Sequence, residues 1–316
     1  MSREEVAESV LRRFVDTFTA DDHPEVIALS GGEAMLRPRL VFDLATRARS
    51  VGCVTTALSG LFFANGNRIP RDIYRAIAAL DHFSVSIDAF HEREVCRERV
   101  MTVIATLLAD GIDLSVHTVA VAESDGYVDD LVEDLTQRFG QKIPVLVNSL
   151  GFFGRARHWM ERDAITGTAT ADPEPCAMAA WPVIGFDGTI VACANDDALD
   201  ALPDHLVLGH AKTDSWSTIR QRTLESSMMR AIRTVGPLSI AQGAGRTGCD
   251  GYCDTCVSLS KDSASQIYVE SEMKKPILAI MEHQARFLQH QAGAVGFARR
   301  HGIPQYAELV ERGLAS

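Results

Sequence analysis

EVIALSGGEAMLRPRLVFDLATRARSVGCVTTAL, residues 25–58, decides how the first half of the chain is read. Its opening is a short apolar run, Val26-Ile27-Ala28-Leu29, which reads as a buried strand. Gly31 and Gly32 end that run, and Glu33 follows at the strand's end. A helix begins near Arg39, and CVTTAL (53–58) is the next strand. A strand, a helix and a second strand in so short a stretch make a parallel unit, and ligands of such sheets gather at the carboxyl ends of the strands. Glu33 stands at one such end.

The unit repeats along the chain. Pro70 opens a helix that runs to about Leu80, and FSVSI (83–87) is a strand with Asp88 at its end. HEREVCRERVMTVIATLLADG (91–111) reads as one long helix stopped by Gly111. IDLSVHTVAV (112–121), YVDDLVEDLTQRF (127–139) and KIPVLVNSL (142–150) continue as strand, helix and strand. Apolar positions at helical spacing also predict a helix over residues 2–19. The expected fold class is therefore α/β, a parallel sheet with helices packed outside it in barrel or open form. After residue 160 the texture changes. MERDAITGTATADPEP (160–175) is polar, small and proline-bearing, and reads as a linker. WPVIGFDGTIVAC is a hairpin turning at Asp187-Gly188, and the tail, 263–316, is helical with a break near RHGIP (300–304). Trp181 and Trp216 are expected in the core. The expected division is a barrel over 1–160, a cysteine-bearing domain over 170–262 and the helical tail from 263.

The chain has 316 residues, 46% of them apolar, a net charge of −11 and a pI near 5.4. No basic block offsets the acidity, which argues against a sequence-independent grip on nucleic acid. No apolar stretch reaches the roughly 20 residues that span a bilayer. The N-terminus, MSREEVAESVLRRF, is charged and carries no signal-peptide core, which places the protein in the cytoplasm.

Of seven cysteines, five fall after residue 175: Cys176, Cys193, Cys249, Cys253 and Cys256. In a reducing compartment they are not expected to be disulfides. Cys176 and Cys193 flank Gly188, and CDGYCDTC (249–256) supplies the rest. A Cys-x-x-Cys pair aims two thiolates the same way, and a hairpin brings a distant pair close. Four such thiolates suit zinc or an iron–sulfur cluster about equally well. Cys53 and Cys96 have no partner nearby in sequence and read as packing residues.

These residues carry a resemblance. LSGGEAMLRPRLVFDLATRARSVGCVTTALSG is similar to the second strand, helix and third strand of radical S-adenosylmethionine enzymes. FSVSIDAFHERE resembles that family's fourth strand, and GFFGRARH the Gly-Arg-Ala after the sixth strand in its peptide-modifying branch. CAMAAWPVIGFDGTIVACAND, LVLGHAKTDSWSTIRQ and CDGYCDTC resemble its auxiliary-cluster extension, of the SPASM or shorter twitch type. The resemblance implies a partial (β/α)6-type barrel, short at its N-terminus, with a cysteine-rich extension and a helical tail. It implies that Glu33, beside Gly31 and Gly32, accepts the ammonium of S-adenosylmethionine, by a charge-assisted hydrogen bond. Read without the resemblance, Glu33 caps the helix that follows. Ser86 and Asp88 would lie near the cofactor's ribose or methionine end, and Arg155 near its carboxylate. An auxiliary [4Fe–4S] cluster would be held by Cys176, Cys193, Cys253 and Cys256, with Cys249 as a competing fifth ligand; zinc is the alternative metal.

The sequence departs from the family at one place. The family's catalytic cluster hangs on Cys-x-x-x-Cys-x-x-Cys, expected ahead of the helix at 2–19, yet residues 1–52 contain no cysteine. Cys249, Cys253 and Cys256 have that spacing but stand past the barrel. Three expectations follow from this. The chain is a radical enzyme acting on a peptide or small metabolite whose catalytic-cluster segment lies upstream. Alternatively, it is a non-catalytic relative that holds one cluster and binds a peptide or partner enzyme. In the third it is a zinc-stabilised binding protein on the same scaffold. No membrane and no nucleic acid enter any of the three.

Overall fold

The computed structural model describes residues 5–66, 68–151, 174–247 and 251–313. The chain divides into two units, Met1–Phe18 with Gly151–Gln291, and Thr19–Leu150 with Ala292–Ser316. In the first unit, helix α1 (Glu8–Val15) is shorter than the sequence implies. The chain turns after it, with the Thr17 hydroxyl donating to the Phe14 carbonyl at 2.7 Å.

The second unit is built on five parallel strands: β1 (Val26–Leu29), β2 (Val54–Ser59), β3 (His82–Ser86), β4 (Leu114–Ala120) and β5 (Val145–Ser149). They neighbour one another in sequence order, and the sheet curls as a half barrel. The helices between them are α2 (Pro38–Ser50), α3 (Arg71–Ile77), α4 (Arg97–Ala109) and α5 (Gly126–Phe139). Local chemistry sets their ends. Pro38 opens α2, the Asp125 carboxylate accepts from Tyr127 N–H at 3.0 Å to cap α5, and Gly111 (φ +76) follows α4. The core lies between helices and sheet, around Phe83, Val85, Ile77, Ile104, Leu107, Val116, Leu131 and Val145. Each such side chain contributes about 1.5–3 kcal/mol when fully buried. The long helix expected over 91–111 is divided. His91–Arg93 form a separate 3₁₀ turn, because the Asp88 carboxylate accepts from Phe90 and His91 N–H groups and winds the chain tightly there.

The first unit carries a small antiparallel sheet, β6 (Val183–Ile184), β7 (Thr189–Val191) and β8 (Val207–His210). The β6–β7 hairpin turns at Asp187-Gly188, as its sequence implies, with Gly188 at φ +94. Around it stand α6 (Asp196–Ala201), α7 (Trp216–Glu225), α8 (Ser227–Gly243), α9 (Tyr252–Ser258) and α10 (Ser263–Glu272). Trp216 packs edge-on against Phe18 with ring centroids 5.8 Å apart. Trp181, by contrast, is 50% exposed and is not a core residue.

The helical tail is α11 (Pro276–His301), interrupted at Gly293 (φ +57). The break expected near 300–304 is where the chain meets the sheet. Gly302 bridges Asn148, and Ile303 N–H donates to the Val147 carbonyl at 3.0 Å, so the tail occupies part of the β5 edge. Glycine is required by proximity: a Cβ on Gly302 would lie 2.4 Å from the Val147 carbonyl oxygen and 2.8 Å from that of Ala298. Gly302→Ala is expected to lower stability by about 1–3 kcal/mol, read as an earlier urea midpoint with an unchanged slope.

Candidate functional site

The two faces of the half barrel differ in chemistry. Alternation along the strands turns Ala57, Phe83, Val85, Leu114, Val116, Val145 and Val147 toward the helices, where all are buried. The registered pairs of the other face include Thr56 with His82, Ser84 with Ser115, Ser86 with His117, and Val119 with Asn148. That face is polar and most of it is half-exposed. His82 reaches the Asp113 carboxylate at 3.2 Å and the Ser115 hydroxyl at 2.8 Å. His117 is held down at about 4 by burial and then by the charge of His82, so it is a neutral imidazole at pH 7.

At the carboxyl ends of β1, β2 and β3 the structure brings together Glu33, Gly60, Ser86, Asp88 and His91. Gly31 and Gly32 are exposed, and a Cβ on either would meet nothing within 4 Å. Gly31 sits at φ +132, a conformation that suits glycine. Glu33 does cap the following 3₁₀ turn: its Oε1 accepts from Met35 N–H at 2.9 Å, and its Oε2 accepts from Gly60 N–H at 2.9 Å. Two bonds leave lone pairs on a carboxylate that can take about four. Asp88 is buried, and besides its two backbone donors it takes the His91 ring N–H at 2.5 Å. Burial pushes the Asp88 carboxyl up, but the His91 bonds and the Phe90 N–H outweigh it, and its pKa falls below the usual 3.8. The His91 ring packs over Gly60, where an added Cβ would lie 3.1 Å from His91 Cδ2 and 3.8 Å from Glu33 Oε2. His91 and His117 were not singled out from the sequence. His91 stands one helical turn beyond Asp88, a spacing visible there, whereas His117 needs the β3–β4 register. Arg155 lies outside the described residues.

The first unit gathers four thiols. Cys176 is anchored by its N–H to the Ile232 carbonyl at 3.0 Å, and Cys193 follows β7. Cys253 and Cys256 stand three apart on α9 and so share a face. The Tyr252 hydroxyl donates to the Glu174 carbonyl at 2.6 Å, which ties α9 to the segment ahead of Cys176. Asn195 N–H points at the Cys193 sulfur at 3.4 Å, and the Asn195 side chain bonds Cys253. Burial raises the Cys193 thiol, with Cys176 adding to it. Cys253 is an exposed residue and the other three are half-buried; desolvation by the protein packed around its sulfur, then Cys176 and Cys193, push the Cys253 thiol up to about 11. Cys256 is raised well above its ordinary value by burial and by all three of the others. Each pair of the four is therefore within electrostatic reach. Among the described residues no group of three or more Cys, His, Asp or Glu side chains is drawn close enough to hold a single metal ion. Cys249 lies outside the described residues. In the barrel unit Cys53 is buried ahead of β2 and Cys96 is exposed ahead of α4, so the two make no three-thiolate set for a catalytic cluster.

No family model and no curated protein matches the chain by sequence. Solved structures do match. One is native anSMEcpe, an anaerobic sulfatase-maturating enzyme, with bound AdoMet and the Kp18Cys peptide, at a TM-score of 0.51 and 10% identity over 89% of this chain and 91% of that one. Another is native anSMEcpe with bound AdoMet, at 0.50 and 12% identity over 88% and 89%. The fold is that of a partial radical S-adenosylmethionine barrel. No helix among the described residues is long and apolar enough to cross a membrane.

On this barrel Asp88 ties three groups to one loop, and its folded pKa lies below its unfolded one. Its stabilisation is therefore full above about pH 4 and is lost as the pH falls through the depressed folded value. Asp88→Asn is expected to cost about 1–3 kcal/mol at pH 7, and the gap to the unaltered protein should close in urea titrations carried down toward pH 3.

Proposed function

We propose that the chain is a radical S-adenosylmethionine-type iron–sulfur protein that serves peptide or small-metabolite maturation. The observation that carries this reading is the convergence of Cys176, Cys193, Cys253 and Cys256, whose order along the chain resembles an auxiliary-cluster extension, in a chain whose fold matches a peptide-bound maturase. The donor set is all sulfur, which fits an iron–sulfur cluster or zinc. Four thiolates on one zinc would approach to about 3.8 Å of one another. We read the set as a [4Fe–4S] site because its order along the chain resembles an auxiliary-cluster extension, with zinc as the alternative metal. Such a cluster supplies redox capacity and positive charge to offset the thiolates.

In the barrel unit, Glu33 is the residue we assign to the ammonium of S-adenosylmethionine. Its carboxylate is pre-oriented by Met35 and Gly60 N–H groups and keeps acceptor capacity beside the open backbone of Gly31 and Gly32. Ser86 and Asp88 border the same strand ends, Asp88 acting through the loop that it caps and through His91. Arg155, after the barrel strands, is proposed for the cofactor's carboxylate. Peptide or small-molecule substrate is proposed for the polar face of β3 and β4.

Cys53 and Cys96 do not make up a catalytic-cluster set. The second reading is a non-catalytic relative that holds one cluster and binds a peptide or partner enzyme. The two separate on whether the reconstituted chain cleaves S-adenosylmethionine to 5′-deoxyadenosine: cleavage supports the first, binding without cleavage the second.

Equilibrium dialysis against S-adenosylmethionine should show binding to the intact chain and at least about tenfold weaker binding to Glu33→Gln, the loss of one charge-assisted bond. Equal affinity would remove Glu33 from the site. After anaerobic reconstitution, Cys249→Ser should keep about four irons per chain, while Cys193→Ser and Cys256→Ser should lose most of them; the reverse pattern would make Cys249 a ligand.

A further inference from the structure

Ahead of its break at Gly293, helix α11 has two faces of different character. One is turned inward: Leu278 and Ala285 are buried, and the Glu282 carboxylate pairs with the Arg230 guanidinium of α8 at 2.8 Å. The other presents Ile277, Ile280, Met281, Gln284, Phe287 and Leu288 to solvent. Its apolar side chains are between 39% and 62% exposed. At roughly 100° per residue, all six fall within about 60° of a line through Gln284 and make one continuous stripe. No charged side chain falls inside that arc. Scattered exposed apolar residues need no explanation, but a contiguous stripe of them marks an interaction surface.

The arrangement of the stripe says what fits it. Apolar residues stand three and four positions to either side of Gln284: Met281 and Ile280 before it, Phe287 and Leu288 after it. Two such helices laid antiparallel about a two-fold axis at Gln284 set Ile280 against Leu288 of the partner subunit and Met281 against Phe287 of the partner subunit. Gln284 then meets Gln284 of the partner subunit. A carboxamide carries both donors and acceptors, so it can pair with its own copy, as an isologous contact requires. The nearest cation on the helix, Arg286, lies roughly 160° from the line and does not face the seam. Half-exposed side chains of this size offer roughly 100 Å² each, so five from each of two chains give about 1,000 Å² of apolar surface, enough for a weak specific interface. We propose that α11 is the seam of a two-fold dimer of this chain, packed antiparallel against its own copy and centred on Gln284.

The test is sedimentation equilibrium of the full chain, reconstituted without oxygen, over about 1–100 µM, the range in which an interface of this size passes from monomer to dimer. The unaltered chain should approach twice its 34.4 kDa at the upper end. Ile280→Glu would bury an unpaired carboxylate in the seam and should raise the dimer Kd at least about 100-fold. Its urea midpoint should match that of the unaltered chain at a dilution where both are monomers. Gln284→Glu and Gln284→Lys each set like charges against one another and should each raise Kd about tenfold. An equimolar mixture of those two variants brings opposite charges together and should dimerise at least as well as the unaltered chain. A chain that stays at 34.4 kDa throughout overturns the proposal and leaves the stripe to a different protein. A dimer unmoved by Ile280→Glu also overturns it, since the contact then lies elsewhere. Weakening by both Gln284 variants with no recovery in their mixture overturns the antiparallel pairing through Gln284.

Discussion

Four thiols brought within electrostatic reach of one another impose the constraint on which the first unit is organised. Two like charges about 8 Å apart at an effective dielectric of about 20 repel by about 2 kcal/mol, and burial penalises each thiolate separately. The thiols of Cys193, Cys253 and Cys256 are raised for both reasons. With an iron–sulfur cluster bound, the same proximity becomes favourable, the protons leave, and metal affinity is coupled to folding. The thiol-bearing segments are held in place locally: a backbone bond ties Cys176 to α8, the Tyr252 hydroxyl ties α9 to the chain ahead of Cys176, and Asn195 supplies donors to two sulfurs.

The second unit solves a different problem. Its parallel sheet buries the helix-facing side, while the other side carries polar groups. Here those groups concentrate on β3 and β4, and the carboxyl ends of three strands are cross-linked through Glu33, Gly60, Asp88 and His91. The carboxylate of Glu33 bridges the loops after β1 and β2, and that of Asp88 fixes the loop after β3. A ligand meeting this edge would find it already ordered, which lowers the entropy cost of binding.

Much of this was legible in residues alone. The alternation of apolar runs with helical periods gave the parallel strands in their order, and WPVIGFDGTIVAC with its Asp187-Gly188 turn implied a hairpin that the structure contains. What was not legible depends on side chains acting across distance or against local pattern. The single helix expected over 91–111 is split because Asp88 captures two backbone donors, a tertiary choice that periodicity does not register. Trp181 reads as core by residue type but lies exposed beside a two-residue strand. His117 joins the polar face only through the β3–β4 register.

The central claim, that late thiolates cage an iron–sulfur cluster, is tested most directly by X-ray absorption at the iron and zinc edges of chain purified without oxygen. The account predicts iron surrounded by sulfur, with further iron in the next shell. Zinc with four sulfur neighbours and no second metal, or iron bound through nitrogen and oxygen, would contradict it.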